Sequence, residues 1–113
     1  MHISKTEALA QLKNWRQEKQ LVLYSAVMEG MSHNIVSGTG CVQTATESIV
    51  RVGSDSAWLM IPLAEEVECI YEHGRDLENR TPPLDCCLSF ELRHRGLSFL
   101  IATALEQQGN RGV

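Results

Sequence analysis

No apolar run in this 113-residue chain approaches the ~20 residues that a membrane-spanning helix needs. The N-terminus, Met1-His2-Ile3-Ser4-Lys5, lacks the apolar stretch of a secretory signal, so a cytoplasmic chain with no membrane partner is expected. An excess of basic residues is missing too. With 10 Lys and Arg against 14 Asp and Glu the net charge is −4, which gives no long-range attraction to nucleic acid or anionic lipid and leaves room only for a local basic patch. Catalytic signatures are absent: there is no Gly-x-Ser-x-Gly elbow, P-loop, dinucleotide-binding glycine fingerprint or His-Glu-x-x-His. Ser37-Gly38-Thr39-Gly40 is not a phosphate cradle, because no helix start follows it. No cofactor is implied, and no residue stands out as catalytic.

Disulfide chemistry is also not indicated. Cys41, Cys69, Cys86 and Cys87 come without a secretory signal, so free, partly buried thiols are expected. On a strand the adjacent pair Cys86-Cys87 points one thiol to each face. Cys69 and His73, joined by Cys86, Cys87 or His94, have the right ligand types for zinc, but the spacing matches no paired knuckle. Buried thiols with surface histidines, and no metal, are therefore expected. His33 and His94 both fall in turn segments. Glu66, Glu68 and Glu72 share one face if their segment is a strand, which reads as a solvated face or a protected edge.

What is present is one domain's worth of patterned chain, 43% hydrophobic. A chain of this length buries about 65% of its extended surface, enough for a core without covalent staples. Ser4-Lys5-Thr6-Glu7 is a capping box, and Ile3 before it is placed to staple onto Ala8. Ala8, Leu9, Leu12 and Trp15 then form one stripe, so a helix is expected over residues 4–19. Strand-like runs follow at 21–28, 35–42, 48–52 and 57–63, with a turn at 44–47 between the second and third. Gly38 and Gly40 lie on the same face, and the missing side chains permit a bend or a close approach there. Residues 64–73 fit either periodicity; the β-branched and aromatic content favours a strand. After a polar loop at 74–85, residues 87–92 and 97–102 form a hairpin across Arg93-His94-Arg95-Gly96, with Gly96 suited to the left-handed turn position. Residues 105–113 read as a tail. The expected fold is a mainly β domain: an N-terminal helix and a bent antiparallel sheet or small barrel of five to seven strands. Its core is expected on 21–28, 57–63 and 97–104, covered on one side by Leu9, Leu12 and Trp15.

One capped helix, a strand, a glycine-bearing bent strand and short antiparallel strands resemble the Sm-like small β-barrels, over roughly residues 4–52 and the final hairpin. Gly38 sits where that family bends its second strand, and Arg95-Gly96 resembles its Arg-Gly turn before the last strand. The positions of the family's loop Asp and nucleobase-holding Asn fall on Thr44 and Ser48, and its aliphatic positions before the turn are Arg93 and His94. The resemblance implies a ring oligomer with RNA at its pore. Arg93, His94 and Arg95 would then meet phosphates, with Tyr24 or Trp58 stacking bases. The residues themselves point first to a non-catalytic interaction or assembly module, a homo-oligomer paired through a strand edge. A small-molecule binder or enzyme with a pocket at the barrel mouth is a third reading.

Overall fold

The computed structural model describes residues 1–31, 35–63, 66–73, 77, 83–92 and 95–104. Helix α1 (Lys5–Gln17) starts where the capping box places it. The Ser4 hydroxyl accepts the Glu7 backbone N–H at 3.1 Å, and the Glu7 carboxylate accepts the Ser4 N–H at 3.3 Å. The helix stops at Gln17, short of residue 19, because Lys19 turns left-handed at φ 55°. The Lys19 N–H then reaches the Arg16 carbonyl at 3.2 Å and the Gln20 N–H reaches that of Trp15 at 2.9 Å, a Schellman closure built on lysine instead of glycine. Ala8, Leu9, Leu12 and Trp15 are all buried, as their spacing requires.

One open antiparallel sheet accounts for the rest. Its strands are β1 (His2–Ile3), β2 (Val22–Met28), β3 (Val36–Ala45), β4 (Ile49–Gly53), β5 (Trp58–Pro62), β6 (Glu68–His73), β7 (Leu84–Leu92) and β8 (Leu97–Ala104). Their spatial order is β1-β6-β7-β8-β2-β3-β4-β5. The bent sheet is thus what forms, and the ambiguous stretch ending at His73 is a strand from Glu68. The eighth strand is β1. Ile3 pairs with Cys69 on β6 and packs at the core's margin, so the residue read as a helix staple serves as a strand.

Strand β3 is the hinge of the sheet. Its first half pairs with β2, ending at Gly40 opposite Val22, and its second half pairs with β4, beginning at Cys41 opposite Gly53. A side chain on Gly40 would fall onto the Gly53 carbonyl, so the two backbones approach because Gly40 carries no Cβ. The sheet curls enough that Val50, Val52 and Ile61 share one core with Leu12, Phe90 and Phe99 from the other half.

Two bulges set the inward faces. The register slips between Val42 and Thr44, so both Val42 and Ala45 point into the core. The strand therefore runs on where a turn was expected from Thr44. A second slip between Leu84 and Cys86 puts Leu84 on the same face as Cys87. There Leu77, Leu84, Cys87 and Ala102 form a small cluster on the reverse of the sheet, while Cys86 joins the main core. The two adjacent thiols face opposite ways and both are buried, and all four cysteines are free.

The expected core needs one correction. Strand β5 lies at the sheet's edge and buries Ile61 completely, whereas Trp58 and Met60 are each 48% exposed. The missing weight comes from β4 and β7, where Val50, Val52, Leu88 and Phe90 are fully buried. No helix among the described residues is long and apolar enough to cross a membrane. The turn at 32–34, most of the loop at 74–85, and the tail at 105–113 lie outside the described residues.

Candidate interaction site

Strand β5 follows a hairpin tied by the Ser54 N–H bond to the Ala57 carbonyl at 2.8 Å. The adjoining ladder to β4 runs without a slip from Gly53 opposite Trp58 to Ile49 opposite Pro62. At its other end the Leu63 N–H bonds the Ser48 carbonyl, also at 2.8 Å. These two bonds fix the phase of an antiparallel ladder. Residues 57, 59, 61 and 63 turn their backbone groups towards β4, so Trp58, Met60 and Pro62 turn theirs outward. Trp58 and Met60 offer both N–H and C=O; Pro62, which has no N–H, offers its carbonyl alone. The proline thus occupies a position where its missing donor costs the sheet nothing. Among the described residues no strand pairs with this edge.

The same alternation places the side chains of Trp58 and Met60 on the outer face of the curl, away from Leu59 and Ile61. Arg51 joins them from β4, where it lies opposite Met60. Its guanidinium carbon sits 4.2 Å from the centroid of the Trp58 ring. Arg51 Nε is buried and its N–H finds no acceptor, and no carboxylate pairs with Arg51 among the described residues. Sequence reading singled out Trp58 and missed Arg51. The signal was there in parity, since Arg51 is the polar position of Ile49-Val50-Arg51-Val52, but only the β4–β5 register puts it over the ring.

The other anticipated residues that the structure describes lie apart from this site. Gly96 adopts φ 63°, as its turn position requires, and its carbonyl accepts the Glu29 N–H at 2.7 Å. Arg95 is exposed beside it, while Arg93 and His94 lie outside the described residues. This tip meets the far end of β2, whereas α1 lies along the second half of β3. The Lys19 carbonyl is near Cys41 Sγ and Lys5 Nζ donates to the Glu47 carbonyl at 3.2 Å, so the helix cations do not extend the tip. Tyr24 is corrected as a base-stacking residue: it is 7% exposed, its ring enclosed in the core beneath Gly38. Trp58 keeps an exposed ring.

Two further features bear on chemistry. A groove of about 580 Å³ runs between the β2 end and the β7–β8 hairpin, lined by Val27, Met28, Leu92 and Leu97 with Glu29 and Glu91. On the inner face, Cys86 Sγ lies 3.0 Å from Thr103 Oγ1, next to Tyr71. Burial foremost, then the Cys86 thiol and the Asp85 charge, pushes the Tyr71 hydroxyl up to about 12. Burial also raises the Cys69 thiol, partly offset by Lys5. Tyr71 and Cys69 therefore stay protonated at neutral pH, the inert state for a nucleophile. Among the described residues no group of three or more His, Cys, Asp or Glu is placed to hold a metal ion.

No protein-family model matches this chain, and neither a curated protein nor a solved structure is similar to it.

Proposed function

We propose that the protein is a non-catalytic interaction and assembly module that takes up an extended strand along β5. The observation that supports this most directly is the outward set of backbone groups on Trp58 and Met60, beside an exposed ring and thioether. An unpaired edge is a template for another strand, and natural sheets cover or blunt such edges. The opposite edge is only two residues long, which is one form of blunting. Strand β5 carries no charge of its own, and only Pro62 limits it.

A second copy can satisfy such an edge. With the two β5 strands antiparallel about a two-fold axis and Trp58 opposite the partner subunit's Met60, each N–H and C=O of these residues is bonded. Met60→Pro tests the reading, because the Met60 N–H points away from β4 and its loss spares the ladder. Native mass spectrometry of the parent is expected to show assemblies that disappear in Met60→Pro at unchanged circular dichroism. Assemblies that persist in the variant would move the contact away from β5.

A further inference from the structure

We infer that the strand β5 receives is an acidic one, an extended segment from another protein that sets a carboxylate against Arg51. The inference rests on the strand-addition reading above and names its partner. Arg51 originates on the second strand of the sheet, yet its guanidinium lies over the ring of the edge residue Trp58. The charge is thereby carried to the boundary of the sheet, one inter-strand spacing of about 4.8 Å from any strand added there. In an added strand the side chain opposite Trp58 or Met60 would project on the same outer face, within reach of that guanidinium. Arg51 has no carboxylate partner among the described residues, and its buried Nε lacks an acceptor. A carboxylate on the added strand would answer the guanidinium's charge through its remaining N–H groups.

A second copy of the chain satisfies the backbone of this edge but leaves the Arg51 charge unmet. Its own β5 presents Trp58, Met60 and Pro62 on the outer face, and none of these carries a negative charge. The backbone phase adds a second requirement. The incoming strand must manage without a donor from Pro62, so only Trp58 and Met60 offer it both an N–H and a C=O. The occupant is therefore a short extended segment, with alternating residues that include Glu or Asp on the face towards Arg51. Charge complementarity of this kind sets selectivity and association rate more than gross affinity, and it is screened by salt.

The test is fluorescence anisotropy with labelled peptides alternating valine with glutamate, or valine with lysine, against the full chain. The glutamate peptide is expected to bind, about tenfold more tightly than the lysine peptide and less so at high salt. Met60→Pro is expected to abolish binding, and Arg51→Gln to remove the preference between peptides while leaving edge binding. Equal binding of both peptides would overturn the acidic partner and leave strand addition standing. No peptide binding, with self-assembly that Met60→Pro abolishes, would assign the edge to a second copy. Binding of single-stranded RNA that Arg51→Gln abolishes and Met60→Pro spares would overturn both readings. Circular dichroism of each variant separates these outcomes from loss of fold.

Discussion

Tyr24 occupies the space that a side chain on Gly38 would need: a Cβ there would lie 2.5 Å from the phenol oxygen and 2.7 Å from its ring carbon. The two residues face each other across β2 and β3, so the glycine lets an aromatic ring lie flat in the core. Gly38→Ala is expected to cost about 1–3 kcal/mol, the usual range for overpacking. In a Tyr24→Leu background the penalty should shrink, and urea denaturation of the four variants reads the coupling directly. An equal penalty in both backgrounds would mean that the glycine serves backbone conformation and not space.

Lys19 closes α1 in a left-handed conformation that glycine adopts without cost. Lys19→Gly is expected to stabilise the fold by about 1 kcal/mol. Thermal melting checks this, and a lower Tm would show that the Lys19 side chain contributes more than its backbone strain removes.

Proline scanning of β5 reads the phase of its hydrogen bonds. Met60→Pro removes an outward N–H and should stay within about 1 kcal/mol of the parent, since the position already matches that of Pro62. Leu59→Pro removes a bond to β4 and should cost about 3 kcal/mol or more. The reverse ranking would place the free edge on the other set of residues.

Alkali should weaken the fold through Tyr71. Its hydroxyl is raised from 10.0 to about 12. Above pH 10 the unfolded chain loses this proton while the folded one keeps it, so stability declines from about pH 10 to 12. The raised Cys69 thiol acts in the same direction from 9.0 upwards. Tyr71→Phe should flatten the part of the decline between about pH 10 and 12, measured by denaturant titration across that range.

Local chemistry was the legible part of the sequence. The Ser4 and Glu7 box, the Leu9, Leu12 and Trp15 stripe, the Gly96 turn and the final hairpin all depend on neighbours within a few residues, and each formed. The bulges at Gln43 and Asp85 were not legible, because a one-residue slip is decided by the partner strand. They extended β3 past an expected turn and moved Leu84 to the reverse face. The edge position of β5 was legible only in Pro62, which cannot donate to a ladder and so marks an edge or a strand end. Trp58, Met60 and Ile61 read alike as core residues in the sequence, and strand order alone exposes the first two. Arg51 entered the site through that same order.

The most direct test of the β5 edge is amide hydrogen exchange at single-residue resolution, in dilute protein and again with the valine–glutamate peptide. In dilute protein the amides of Trp58 and Met60 should exchange quickly while those of Leu59 and Ile61 are protected by β4. Added peptide should protect Trp58 and Met60 and leave the inward pair unchanged. Protection of Trp58 and Met60 already in the dilute monomer, or bound peptide that leaves them exchanging freely, would contradict strand addition at this edge.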